Sequence, residues 1–213
     1  MPATTPSNPA TGPATELLLG SSSKYRKQLL ERLGLPFSTA SPDVDETARE
    51  GEAPKHLVTR LAEDKARALS TSHPNHLIIG SDQVACVEEE ILGKPGTDER
   101  AVEQLTRLSG NTVQFYTALV LLNSATNRLQ VALDVTDVEF RSLESREIEA
   151  YVAREQPLDC AGSFKSEGLG VALFERISTE DPAALIGLPL VKLCEMLRKE
   201  LFNPLTVLDN PPR

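Results

Sequence analysis

The chain is short of cysteine, of positive charge and of long apolar runs. Its three cysteines, Cys86, Cys160 and Cys194, stand far apart with no CxxC spacing, which argues against a disulfide framework and against a zinc knuckle. Lysine and arginine together number 22 against 31 aspartates and glutamates, a net charge of −9. That balance argues against a bulk grip on DNA or RNA, which depends on clustered cations releasing counterions. It leaves room for a local cationic pocket around one phosphate chain. No apolar run approaches the roughly 18 residues that a membrane span needs. The histidines, His56, His73 and His76, lack HxxxH or HxxEH spacing, and neither a GxSxG elbow nor a GxxxxGK[ST] loop occurs. Zinc hydrolysis, serine-triad chemistry and a Walker loop therefore find no support. A reduced, soluble protein is expected, placed in the cytoplasm, with neither nucleic acid nor membrane as partner.

What is present suits one globular domain. Hydrophobic residues make up 40% and charged residues 25% of 213, enough for a sizeable core. Residues 1–15 hold four prolines and no charge and read as a disordered leader. Residues 205–213 read as a frayed tail, which leaves a single domain over 16–204. Within it, helical and extended patterns alternate. Strands are expected at 16–20, 35–40, 77–81, 84–87, 112–122 and 129–140, the last two joined as a hairpin. Helices are expected at 23–33, from Pro54 onward, at 98–108, 144–152 and 189–201. The class is α/β with a mixed sheet.

Five places carry residues suited to chemistry. The turn Gly20-Ser21-Ser22-Ser23-Lys24-Tyr25-Arg26-Lys27 stands between a strand and a helix. Backbone N–H groups at a helix start, hydroxyls and cations suit a polyphosphate; an ordinary serine N-cap has the same composition. Asp43-Val44-Asp45-Glu46 gathers carboxylates, the ligands of a hard cation such as Mg²⁺, or else forms a solvated acidic loop. Lys65 falls on the apolar stripe of its helix, four residues from both Leu61 and Leu69, so it snorkels to the rim or meets an anion in a cleft. Asp82, in Gly80-Ser81-Asp82-Gln83, ends a buried strand, where α/β ligands bind, with Lys94-Pro95 following. Finally, Cys160 to Gly168 form a Gly/Ser-rich bend that lets backbone approach a ligand. Taken together, phosphate donors, metal carboxylates and a strand-end acid point to metal-assisted phosphoanhydride hydrolysis.

These segments occur in a recognisable order: Leu18–Arg26, Asp43–Glu46, Lys65-Ala66, Gly80–Val84, Gly93-Lys94-Pro95 and Gly162–Gly168. In that order they resemble the Maf family of nucleoside triphosphate pyrophosphatases across about residues 16 to 204. The resemblance implies a fold related to inosine triphosphate pyrophosphatases: a long twisted mixed sheet flanked by helices, in two lobes with a central cleft. It implies hydrolysis of a nucleoside triphosphate to the monophosphate and pyrophosphate with a divalent cation, Mg or Mn. By position, Asp82 resembles the catalytic proton acceptor, and Arg26, Glu46, Lys65 and Lys94 the other polar active-site groups. Ser21 matches a phosphate-binding serine, and Glu46 and Asp82 are the expected metal carboxylates, with Asp43 or Asp45 as alternatives. A homodimer is the one protein association the resemblance suggests.

Tyr25, Gln83 and Glu167, with Cys160–Gly168 and Ala184–Leu190, are similar to the 7-methyl-GTP pyrophosphatase (YceF-like) branch. The chain departs from the family pattern at Lys24, where Pro is usual, and at Gly20, where Ala is common. Methylation at N7 makes guanine cationic, so an aromatic face such as Tyr25 attracts it. Glu167 can accept from guanine N1–H and its amine, with Gln83 expected to read the same edge. The function expected from this is hydrolysis of 7-methyl-GTP, a housecleaning of the nucleotide pool. The alternatives are a pyrophosphatase for UTP, dTTP or other modified nucleotides, and a nucleotide-binding regulator of cell division without turnover.

Overall fold

A computed structural model describes residues 16–88 and 90–206. The expected leader, 1–15, and most of the expected tail lie outside those residues.

The chain opens with strand β1 (Glu16–Gly20), helix α1 (Lys24–Glu31), strand β2 (Ser38–Ala40) and helix α2 (Pro54–Ser70). Strand β3 (His76–Val87), strand β4 (Glu90–Leu92) and helix α3 (Asp98–Leu108) follow. A hairpin of β5 (Thr112–Asn123) and β6 (Arg128–Phe140), helix α4 (Ser145–Glu155), strand β7 (Phe174–Ser178) and helix α5 (Leu190–Lys199) complete it. The seven strands form one mixed sheet in the order β2-β1-β3-β5-β6-β7, with β4 paired to β3. β2, β1 and β3 run parallel, and the remaining pairings are antiparallel.

Alternation along β3 decides what each face receives. Leu77 and Ile79 pack against Leu29 and Leu30 of α1 and Leu193 and Leu197 of α5. Ile78 packs on the opposite face, against Val58, Ala62 and Ala66 of α2. The α1/α5 face continues into a third apolar cluster, where Ala85 and Val87 meet α3 and α4. Helix α2 begins with proline in its first turn, where a missing N–H costs nothing. Its stripe of Leu57, Val58, Leu61, Ala62 and Leu69 is buried as its spacing predicts.

The sequence divides 77–87 into two extended segments, whereas the structure makes one strand. Asp82 and Gln83 carry the ladder across the gap, opposite Ala118 and Thr117 of β5. α1 starts one residue later than expected because Ser23 is its N-cap, with the Oγ accepting from the Arg26 N–H at 3.4 Å, and it ends two residues early, at Glu31. β2 keeps only the last half of the expected 35–40, and α4 runs on to Glu155. On α3, Ala101, Leu105 and Leu108 are buried and Val102 is only partly so, packed against their cluster. β7 carries no apolar alternation that would announce it, and its residues are mostly exposed. All three cysteines are free. Among the described residues, no helix is long and apolar enough to cross a membrane.

Candidate active site

The strand ends and the loops after β1, β2 and β4 enclose a cleft of about 750 Å³. Its wall includes Ser21, Arg26, Glu46, Lys65, Asp82 and Lys94. A smaller recess of about 170 Å³ adjoins it, sharing Tyr25, Arg26, Gln83, Lys94 and Asp159 with the larger one. The recess also takes in Phe115, Phe164, Glu167 and Leu185. Cations and carboxylates ring the larger compartment, and the recess adds aromatic and apolar groups and Glu167 to the Arg26, Lys94 and Asp159 that it shares.

Lys65 is the hinge of the charged compartment. Its Nζ lies 2.6 Å from Asp82 Oδ1 and 2.6 Å from Glu46 Oε1. Lys65 and Asp82 are each only 8% exposed, so their pairing is screened little by water, and either charge alone would be costly there. Lys65 stands on the inward stripe of α2, and Asp82 on the α2-facing side of β3. Of the two outcomes its spacing allows, the lysine meets anions. Glu46 reaches in from the loop before α2, and its carboxyl is held below the usual range chiefly by the Lys65 hydrogen bond, with Lys94 and Arg26 adding to it.

Arg26 closes the opposite wall. Its Nε donates to the Gly187 carbonyl at 2.8 Å, and Nη1 lies 3.4 Å from Ser21 Oγ. Burial pushes the guanidinium down from its usual value, against the pull of Asp82 and Glu46; an arginine in such company remains charged. Ser21 Oγ also accepts from the Ser23 N–H at 3.1 Å. The Ser22, Lys24 and Tyr25 amides carry no hydrogen bond among the described residues, which suits an anion at the start of α1. Lys94 is exposed at the cleft and makes no ion pair among the described residues.

The donor set fits a hard divalent cation. Glu46 and Asp82 each give one oxygen to Lys65, and their second oxygens have no hydrogen bond among the described residues. Those are oxygen ligands of the number Mg²⁺ takes from protein when phosphate completes its shell. Asp43 and Asp45 do not line the cleft; Asp45 Oδ1 instead accepts from the Thr47 N–H at 2.9 Å. Among the described residues no three His, Cys, Asp or Glu gather into an all-protein cage.

Tyr25 and Glu167 both line the recess. Burial first, then Cys160, Asp159 and Glu167, push the Tyr25 phenol well up. Gln83 takes a more constrained place. Its Nε2 donates to Thr117 Oγ1 at 2.8 Å and to the carbonyls of Ala184 and Leu185 at 2.9 and 3.1 Å. Three acceptors fix the nitrogen, so Oε1 is the end left to meet a ligand.

Several participants carry roles that their sequence stretches do not reveal. Ser81 Oγ lies 3.0 Å from the same Gly187 carbonyl that receives Arg26. Thr117 Oγ1 donates to Ala184 O at 3.1 Å, and Asp159 lines both compartments. The 184–187 turn works through backbone oxygens, which no side-chain motif reveals. Only β5's pairing with β3 brings Thr117 opposite Gln83.

The charged compartment, the lysine held by two carboxylates and the recess agree with one further finding. The Maf-like protein family matches residues 16–200, nearly the whole described chain, and the chain belongs to that family, whose members are in general nucleoside triphosphate pyrophosphatases.

Proposed function

We propose that the chain hydrolyses 7-methyl-GTP to 7-methyl-GMP and pyrophosphate, with a divalent cation, as a cytoplasmic housecleaning of the nucleotide pool. The observation that carries the reading is Lys65 held 2.6 Å from both Asp82 and Glu46 beside a compartment lined by Arg26 and Lys94.

The triphosphate lies in the larger compartment. Ser21 Oγ and the free amides at the start of α1 hold its oxygens, while Arg26, Lys65 and Lys94 offset charge that grows on bridging and non-bridging oxygens. Water attacks the α-phosphorus, the bond to the bridging oxygen breaks, and pyrophosphate leaves. Asp82 takes the proton from the water. Lys65 holds the Asp82 carboxylate in place. Glu46 and Asp82 are the residues that would hold Mg²⁺ or Mn²⁺, which when bound supplies Lewis-acid polarisation of the phosphate.

The base lies in the recess, stacked on Tyr25. A 7-methylguanine ring is cationic, and the recess meets it with an aromatic face and the carboxylates of Glu167 and Asp159. Glu167 accepts from N1–H and the exocyclic amine, and Gln83 adds its fixed carbonyl oxygen. Uridine and thymidine carry neither the positive charge nor the paired donors.

The test is release of pyrophosphate and monophosphate from 7-methyl-GTP, GTP, UTP and dTTP with Mg²⁺ or Mn²⁺, beside Asp82→Asn. Turnover favouring 7-methyl-GTP and lost in Asp82→Asn is expected. Turnover of UTP or dTTP alone retains the chemistry and overturns the base assignment. No release from folded protein overturns the enzyme reading in favour of a nucleotide-binding regulator.

A further inference from the structure

We propose that Gln104, a helix residue outside both compartments, is a positioning residue that couples the base recess to Lys94. The inference rests on the functional reading above for its kinetic consequence, and on geometry alone for the coupling.

Gln104 lies on α3 and spans two loops. Its Oε1 accepts the hydroxyl of Ser163, and its Nε2 donates to the Gly93 carbonyl at 3.0 Å. Ser163 belongs to the loop whose next residues, Phe164, Ser166 and Glu167, wall the recess. Gly93 immediately precedes Lys94. One amide side chain therefore holds the recess and the cation together.

Two features make the link more than a surface contact. First, Gly162 and Ser163 both sit in the left-handed region, at φ 75° and 60°, and Ser163 is fully buried. A serine held there persists only where its surroundings impose it. The Gln104 bond is one such restraint, and the Ser163 N–H to Cys160 O bond at 3.2 Å is another. Second, Lys94 is bracketed: the Gly96 N–H donates to Leu158 O at 3.1 Å. Leu158 directly precedes Asp159 of the recess. With no ion pair of its own among the described residues, Lys94 takes its place from backbone on either side, and both sides are tied to the recess loop.

A base that shifts the 160–167 loop therefore shifts Lys94. Since Lys94 acts on charge developing at the phosphate, a poor fit of the base lowers kcat as well as raising KM. Displacements near 1 Å in such groups cost on the order of 10²-fold in rate.

Full-length wild type, Gln104→Glu, Ser163→Ala and the double variant are compared. Gln104→Glu removes the donor to Gly93 while keeping the acceptor for Ser163; Ser163→Ala cuts only the recess side. Expected for each single variant is a fall in kcat of about tenfold for 7-methyl-GTP, a fraction of the misplacement cost above. The double variant is expected to be no worse than the more impaired single one. Amide exchange across Leu92–Gly96 quickens in Ser163→Ala, although that residue touches neither Gly93 nor Lys94. Additive kinetic losses, or unchanged exchange at Leu92–Gly96, overturn the coupling. Exchange needs no turnover, so a wild type inactive on every nucleotide refutes the enzyme reading while exchange still decides the coupling. A loss of melting temperature with kcat, KM and exchange at Leu92–Gly96 unchanged marks Gln104 as structural only and also overturns it.

Discussion

Gly80 of β3 lies so close under Ala62 of α2 that a Cβ on the glycine would stand 2.1 Å from the Ala62 carbonyl oxygen. That approach is what lets α2 press onto the strand at this level. One turn further along α2, Lys65 reaches Asp82, two residues beyond Gly80 and on the same face of the strand. The close contact and the charged triangle are parts of one arrangement.

Gly80→Ala is accordingly expected to push α2 off the sheet. Overpacking of this kind costs about 1–3 kcal/mol, read as a lower urea midpoint. Activity should fall more than stability, since Lys65 moves with its helix. A variant with wild-type kcat would show that the contact does not set the Lys65–Asp82 distance.

Removing one partner of the buried pair differs from removing both. Asp82→Asn should fold and lose about 10²–10⁴-fold in kcat, the usual worth of a general base. Lys65→Met leaves Asp82 nearly unexposed and without its partner, a loss of about 3–5 kcal/mol. Lys65→Met combined with Asp82→Leu should recover much of that stability and none of the activity. Chemical denaturation beside a pyrophosphate assay separates the two quantities.

Glu46 gives a pH dependence with a definite sign. Its carboxyl titrates below the ordinary 4.5 in the folded chain, first because of the Lys65 hydrogen bond. A group depressed on folding stabilises above its unfolded value and loses that contribution as pH falls through its folded value. The stability difference between wild type and Glu46→Gln should therefore be constant from pH 5.5 to 8 and shrink only in acid below about 4.5, the ordinary value. The difference should be small and fall with salt, because the Glu46 side chain is 62% exposed. A difference that changes between pH 6 and 8 would assign the dependence to another group.

The recess should be insensitive to mild alkali. The Tyr25 phenol is raised by burial and its acidic neighbours, and the Cys160 thiol is pushed up to about 12 by burial and Asp159. Both stay protonated between pH 7 and 9.5. Tyr25→Phe should keep the preference for 7-methyl-GTP over UTP, and Tyr25→Ala should reduce it by about 3- to 30-fold, the range of a partly desolvated cation–π contact. Iodoacetamide at pH 8 should leave activity intact, because the thiolate is the reactive form. Rapid inactivation through Cys160 would contradict its environment.

Much of this was legible in the residues. The stripe of α2 places Lys65 inward, whereas the apolar run before Asp82 reads as a strand ending at that acid and β3 instead runs on through it to Val87. The ordered motifs bring Arg26, Glu46, Lys94, Tyr25 and Glu167 to one family, and the structure gathers them around two adjoining compartments. The stretch between 81 and 84 reads as a break because polar residues interrupt a run whose hydrogen bonds continue. β7 has no legible pattern because its residues are mostly exposed.

Local sequence therefore determined which residue types face inward, where helices begin, and which side chains carry charge suited to phosphate. Those features follow from periodicity, capping and composition, each set within a few residues of chain. Only the tertiary structure decided that Glu46, not Asp43 or Asp45, meets Lys65. It also turned Gln83 by its nitrogen toward Thr117 and the 184–187 carbonyls, and joined Ser163 to Gly93 through Gln104. These depend on backbone groups and on elements far apart in the chain, brought together when the sheet pairs β3 with β5 and the apolar clusters close on both faces. A carbonyl oxygen has no letter in the sequence; its partner is known only once the chain has folded.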